Sequence, residues 1–364
     1  MTLSTRAQIV GSSSMPNPSS WNLADLANVK SNGLKVFSTF ACGGGSSMGY
    51  KLAGFDMVGA NDIDPEMRWH YEQNLHPKFF IEAPVKDLVT MDLPPELFDL
   101  DILDGSPPCS TFSMAGSREK AWGKEKHFRE GQAVQILDDL FFDFLDVVER
   151  LKPKVVIAEN VKGMLMGNAK GYVRAISERL KEIGYRPQLF LVNSADCGVP
   201  QRRERVFFVA IRDDLPGDKL VFAPDGKWIS AGEATSDVQD LTDEERKRSA
   251  PSTLDKRYWH LTSKGRNYSL AATEFEAKNA YWNTVKISDE TPAPTITATE
   301  GLKHWSECRS LTYREIKRLG SFPDDYKAKS EAIGVYMVGM SVPPKMMEAV
   351  ARAVAEQWFG VEYD

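Results

Sequence analysis

Leu34-Lys35-Val36-Phe37, then Gly43-Gly44-Gly45, then Ser46 to Ala53 closing at Gly54, is the stretch that decides the fold. It reads as a short strand, a tight turn and a helix. The same unit returns downstream. Met57 to Ala60 is the next strand, with Asp62 at its carboxyl end, and Leu100-Asp101-Ile102-Leu103 is a third. Val134 to Leu151 has apolar residues at helical spacing and leads into Lys154 to Ala158, a buried-strand run ending at Glu159. Tyr172 to Ile183 predicts a helix stopped by Gly184, and Leu189 to Val192 and Val206 to Ile211 predict two more strands. Strands alternating with helices predict an α/β fold, a doubly wound, mostly parallel sheet whose ligands sit at the strands' carboxyl ends.

The texture then divides the chain. The Ser-, Pro- and Asn-rich start is expected to be a disordered tail over residues 1–30, and residues 31–212 form the cofactor-binding and catalytic domain. Residues 213–325 are Ser-, Thr- and Pro-rich with no βα repeat, which predicts a smaller domain of irregular and β structure. Within it, Thr312-Tyr313-Arg314-Glu315 is a capped helix start, stopped near Gly320 and Pro323. Residues 326–364 are expected to return to the first domain through an amphipathic helix, Pro344 to Trp358.

Composition excludes several classes. No apolar run approaches the ~20 residues of a membrane span. The N-terminus lacks the apolar core of a signal peptide. The four cysteines lie far apart without a CxxC pair, which argues against disulfides and structural zinc and predicts a reducing cytoplasm and no metal. A net charge of −6 argues mildly against nucleic acid, but Arg246 to Arg266 is locally basic and holds Tyr258, Trp259 and His260. Such a stretch suits phosphate contact and groove insertion.

The triple glycine allows close approach of a ligand. Asp62, 19 residues beyond Gly43, falls near the ~20-residue interval at which an acid bonds a ribose. A nucleoside-containing cofactor follows. The competing readings are a plain turn with Asp62 capping the next helix, and a nicotinamide dehydrogenase fingerprint at Gly43, Gly45 and Gly49. Asp87 is a further candidate, for an adenine amino group. Gly105-Ser106-Pro107-Pro108-Cys109 places a thiol in a loop whose direction two prolines restrict. Glu159 ends an apolar strand, where an acid is costly unless used or paired. The competing reading of Asn160 is a plain cap on the helix that follows. Alternation puts Arg203 and Arg205 of Gln201-Arg202-Arg203-Glu204-Arg205 on one side. A thiol, a carboxylate and an arginine pair are the groups needed to attack a cytosine ring.

With these motifs in this order, the chain resembles the cytosine-5 DNA methyltransferases of the bacterial and phage modification type. The resemblance runs from about Leu34 to Val342 and takes in Arg309 to Glu315, Phe322-Pro323 and Gly339-Met340-Ser341-Val342. It implies S-adenosylmethionine as cofactor and double-stranded DNA as partner. It also implies a monomer, with a cognate restriction endonuclease acting separately. By the same resemblance Cys109 attacks carbon 6 of a flipped cytosine, Glu159 serves ring nitrogen 3 and the amino group, and Arg205, supported by Arg203, contacts the oxygen. Phe40, Gly43, Gly44, Gly45, Asp62, Ile63, Asp87, Pro108, Leu140 and Ser341 would hold the cofactor. Ser113, Gln201, Arg257 and Thr295 would meet DNA, in and beside a target-recognition domain at 213–325. Three positions depart from the family pattern: Cys42 for a glycine, Ser110 for a glutamine, and Met340 for an asparagine. Two other readings share the fold, a transfer-RNA cytosine-5 methyltransferase and a catalytically weak DNA-binding regulator. The transfer-RNA branch's Cys-Phe-Thr signature does not occur here.

Overall fold

A computed structural model of the chain describes residues 17–108, 125–126, 135–136, 140–167, 169–224, 226–276, 282–299 and 301–363. Its main sheet has seven strands in the order β3-β2-β1-β4-β7-β9-β8. These are β1 (Lys35–Thr39), β2 (Asp56–Asp62), β3 (Phe80–Glu82), β4 (Ile102–Gly105), β7 (Val155–Val161), β8 (Tyr185–Asn193) and β9 (Glu204–Arg212). The pairs from β3 to β7 are parallel, and β9 runs antiparallel to both β7 and β8. Between β4 and β7 in the chain, β5 (Glu125–Lys126) pairs with β6 (Gln135–Ile136). Strand order reverses between β1 and β4. In such sheets that reversal opens a crevice outside the carboxyl ends, where ligands bind.

Period-two alternation along the strands builds a core on each face. Phe37, Leu103, Val156 and Phe208 pack on one side with Phe141, Phe144 and Val148 of α3 (Leu140–Leu151) and Ile176 and Leu180 of α4 (Ala169–Glu182). Val36, Ile102, Ile157 and Phe207 pack on the other with Tyr50 of α1 (Gly45–Leu52) and an apolar stripe on α11 (Pro344–Phe359). That stripe, Met346, Met347, Val350 and Val354, follows helical spacing. α2 (Pro65–Leu75) starts with Pro65 at its first turn and Asp64 as the cap, accepting from Glu66 N at 2.8 Å.

Three elements differ from expectation. α3 begins at Leu140, later than Val134, because Gln135–Ile136 is drawn into the β5–β6 ribbon. The segment after Asp213 contains the small sheet β10 (Arg266–Asn267), β11 (Val285–Lys286) and β12 (Leu302–Lys303). Beside it stand four short helices, α5 (Ala231–Ala234), α6 (Asp243–Arg248), α7 (Thr253–Tyr258) and α8 (Tyr268–Glu276). Ser230, Thr242 and Ser252 cap the first three, the last two through reciprocal boxes with Glu245 and Asp255, so the start signals were present in the composition-driven stretch. The third difference is the N-terminal region. Residues 17–30, expected in a disordered tail, form a strap: Trp21 is buried and its Nε1 donates to Ser321 O at 3.0 Å. Asn17 Nδ2 donates to the Glu233 and Ala234 carbonyls, and a short 3-10 helix spans Leu23–Asn28. Buried apolar surface offsets the entropy of ordering that strap.

α9 (Tyr313–Leu319) starts at the Thr312–Glu315 box and ends at Gly320. Buried Glu315 also takes both guanidinium nitrogens of Arg309 at 2.9 Å. Arg314 bridges to Glu245 of α6, and Arg318 to Asp237 and Asp324. α10 (Glu331–Met340), capped by Ser330, carries the chain from there to Ser341. No helix among the described residues is long and apolar enough to cross a membrane.

Candidate active site

Glu159 and Arg205 meet on neighbouring strands. Glu159 pairs with Phe207 in the β7–β9 register, so Arg205, two residues along, lies on the same sheet face. Arg205 Nε stands 2.8 Å from Glu159 Oε1, and both side chains are largely buried. Burial lowers the proton affinity of Arg205, and the Glu159 carboxylate opposes it. Asn160 is in the strand rather than at a helix cap, which sets aside the capping alternative. Its Nδ2 donates to Pro107 O at 3.0 Å, tying β7 to the proline loop after β4. Pro107 is buried and Pro108 half-buried. Cys109, Ser110 and Ser113 lie outside the described residues.

Arg203 and Gln201 face inward. Arg203 Nη1 donates to Ile296 O at 3.1 Å, while its buried Nε has no partner among the described residues. Burial and then the Arg205 cation push Arg203 down to about 9, still above neutrality, so it keeps its charge. Gln201, read as a DNA contact, is 1% exposed and spends its amide internally. Its Oε1 accepts from Ile296 N at 2.9 Å and its Nε2 donates to Leu319 O at 3.4 Å. A buried amide must find such partners. Gln201 therefore anchors the 293–297 segment instead of presenting its own side chain. Thr295 is half-buried on that segment, its hydroxyl donating to Arg202 O at 2.8 Å.

The turn after β1 is strained. Phe40 and Cys42 sit at φ +52° and +46°, and Gly44 at +84°. Cys42, which stands for the family's glycine, thus occupies the left-handed region that L side chains rarely adopt. Cys42 N donates to Asp62 Oδ2 at 2.8 Å, and Asp64 N to Asp62 Oδ1 at 3.0 Å. Burial, above all, pushes Asp62 up to about 6; burial and then Asp62 push the Cys42 thiol up to about 12. Asp64 caps α2, which leaves Asp62 facing the turn. A methyl group on Gly43 would lie 2.7 Å from Tyr326 OH, and one on Gly45 would strike Val342 O and lie 2.7 Å from Ser341 Cβ. The glycines thus admit the C-terminal segment.

The residues assigned to the cofactor fall into two groups around this turn. Phe40, Leu140 and the 3-10 turn Val85–Val89 that carries Asp87 belong to one apolar cluster, with Leu140 buried and Phe40 and Asp87 part-exposed. Gly43, Gly44, Gly45, Asp62, Ile63 and Ser341 lie together at the turn itself, Ser341 against Gly45 and Asp62 against the Cys42 and Ile63 amides. Ser341 Oγ is buried without a hydrogen-bond partner among the described residues, and Met340 beside it is exposed. Asp62 accepts from the backbone of Cys42 and Asp64, with the Ile63 amide also facing it, and keeps lone-pair capacity of its roughly four acceptor sites. An orphaned hydroxyl and an acid with spare lone pairs fit a polar nucleoside ligand. Sequence reasoning missed Asp104, a buried carboxylate on β4 held by Ser38 and Tyr50. Its signal was an acid interrupting an apolar strand.

In the insert, Tyr258 and Trp259 are buried with Tyr268, Ala271 and Ala272, so they build the insert's own core rather than enter a groove. Arg257 is exposed and paired with Glu276 at 2.8 Å. Lys247, Lys256, His260 and Arg266 are exposed nearby. Among the described residues no group of three His, Cys, Asp or Glu side chains is placed to hold a metal ion.

The profile of the family described as C-5 cytosine-specific DNA methylase matches residues 34–356. The type II methyltransferase M.NgoFVII of Neisseria gonorrhoeae is 30% identical over 349 residues, covering 90% of this chain and 88% of its own length. M.FnuDI of Fusobacterium nucleatum is 28% identical, covering 89% and 94%. A prophage-encoded DNA modification methyltransferase of E. coli shares the fold with a TM-score of 0.69 at 19% identity, over 89% of this chain and 99% of that one. The match runs over nearly the whole length, and the chain is a member of the C-5 cytosine-specific DNA methylase family.

Proposed function

We propose that methylation of DNA cytosine by this chain runs through a covalent adduct of Cys109 on a base flipped out of the duplex. The observation that carries this reading is the Glu159–Arg205 pair, 2.8 Å apart beside the proline loop that leads to Cys109. The Cys109 thiolate adds to ring carbon 6, and the electron pair displaced makes carbon 5 nucleophilic. Glu159 gives a proton to ring nitrogen 3 and accepts from the amino group, while Arg205 stabilises the exocyclic oxygen. Arg203 supports Arg205 from inside the 293–297 anchor. Family and fold imply S-adenosylmethionine, which when bound supplies an electrophilic methyl group. Phe40, Leu140 and Asp87 would hold its adenine, Asp62 and Ile63 its ribose, and Gly43 to Gly45, Pro108 and Ser341 the remainder. Once carbon 5 is methylated, loss of its proton restores the ring double bond and releases the Cys109 thiolate.

The insert reads as the target-recognition domain, with Thr295 and the exposed cations of residues 246–266 toward DNA. One chain acts alone on its site. The relatives' designation as type II methyltransferases supports a separately acting restriction endonuclease as its companion. An oligonucleotide carrying 5-fluorocytosine in the recognition site tests the chemistry, because the fluorine cannot leave as a proton does. With methyl donor present, an adduct mapping to Cys109 by peptide mass is expected. Absence of that adduct overturns the reading.

A further inference from the structure

Four polar side chains form a row across the sheet. Ser38 pairs with Asp104 in the β1–β4 register, and Asp104 with Ile157 in β4–β7, so Glu159 lies two residues along on Asp104's own face. Arg205 continues the row on β9. Asp104 is 1% exposed. Its Oδ2 accepts from Ser38 Oγ at 2.6 Å and its Oδ1 from Tyr50 OH at 3.2 Å. Its carbonyl accepts from Thr39 Oγ1 at 3.0 Å. Ser38 and Thr39 lead directly into the cofactor turn, Tyr50 stands on the helix that follows it, and Asp104 itself leads into Ser106-Pro107-Pro108-Cys109.

We propose that Asp104 is a positioning residue for methyl transfer, clamping the nucleophile's strand to the cofactor turn and placing a second carboxylate beside Glu159. The inference rests on the roles of Cys109 and Glu159 given above. A core acid costs free energy unless used or paired with a cation. Here its partners are hydroxyls, and the groups facing it are Ser38 and Thr39 from β1, Tyr50 from α1, Tyr71 from α2 and Glu159 from β7, with Arg205 beyond. Negative charges at Asp104 and Glu159 repel. Burial chiefly, with Glu159 adding and the two hydroxyls opposing, pushes Asp104 up to about 7. Near neutrality Asp104 therefore changes both its charge and the direction of one hydrogen bond, since the protonated acid must donate.

Asp104→Asn keeps the shape and removes the titration. Tritiated methyl transfer to unmethylated genomic DNA is measured across pH, together with thermal midpoints. Wild type is expected to show a kcat inflection near Asp104's midpoint. In Asp104→Asn the inflection disappears and kcat falls about tenfold, with both KM values changing less than about threefold. A group with raised proton affinity in the fold stabilises at low pH and loses that contribution as pH rises through its folded midpoint. The melting difference, variant minus wild type, should therefore grow between about pH 4 and pH 7 and level off above. Tyr50→Phe, which removes one donor to the ionised form, should move the inflection to higher pH. A wild-type kcat and pH profile in Asp104→Asn, or lost stability with an unmoved profile, overturns the proposal. Cys109→Ser run alongside separates the two readings: retained transfer there defeats the nucleophile, whatever Asp104 does.

Discussion

At the scale of single residues, the Glu159–Arg205 pair joins stability to chemistry. Both side chains are buried at the carboxyl end of β7, so removing one leaves the other's charge stranded. Arg205→Ala should cost about 3 kcal/mol in denaturant unfolding. Glu159→Gln should leave a folded protein whose kcat drops by about 10²–10⁴ in single-turnover assays, as expected for loss of an acid–base group. Cys42 is a second residue-scale case. Its φ of +46° costs any side chain, while its thiol stays protonated at neutral pH. Comparing Cys42→Gly with Cys42→Ala isolates the backbone term, because both lose the sulfur. The glycine variant should be the more stable by about 1 kcal/mol, read from paired denaturation curves.

Elements meet through small residues. α1 approaches α11 because Gly49 has no side chain: a Cβ there would lie 2.5 Å from Pro344 O and 2.6 Å from Met347 Cβ. Gly49→Ala should lower stability by about 1–3 kcal/mol through overpacking, although alanine is the better helix former. A rise in melting temperature would show that α11 yields easily. The same contact bears on the glycine turn, since α11 begins three residues after Ser341, which backs that turn at Gly45. The N-terminal strap acts likewise at a distance. Asn17 and Trp21 tie α5 to the Ser321 turn, both next to the Arg318 ion pairs.

For the whole molecule, charge location outweighs charge sum. The chain carries a net −6, yet Lys247, Lys256 and Arg266 are exposed on the insert. Phosphate contacts release counterions, so the slope of log K against log salt should fall by about 0.9 for each contact removed. Replacing these three residues by alanine should flatten the salt dependence of duplex binding, measured by fluorescence anisotropy, while leaving single-turnover methyl transfer at saturating DNA near wild type. An unchanged slope would place the duplex on another surface of the insert.

Much of this protein was determined by local order in the chain. The βα alternation, the capped start at Thr312, the helix stop at Gly184 and the α11 stripe depend on periodicity and caps, which act over a few residues and are written there. The order of the Gly43–Gly45 turn, the Cys109 loop, Glu159 and Arg205 was legible for the same reason, because the turn and the loop follow strands and the two charged residues interrupt apolar strand runs. What the tertiary structure decided were contacts between residues far apart in sequence. Gln201 and Arg203 look like surface polar groups until Ile296, more than ninety residues on, takes their hydrogen bonds. Tyr258 and Trp259 look like groove-seeking aromatics until Tyr268 and Ala272 close over them. Asp104 acquires meaning only when Ser38, Tyr50 and Glu159 converge on it from three other elements. Burial and partnership are properties of the packed chain, and no local pattern encodes which distant side chain will satisfy a given polar atom.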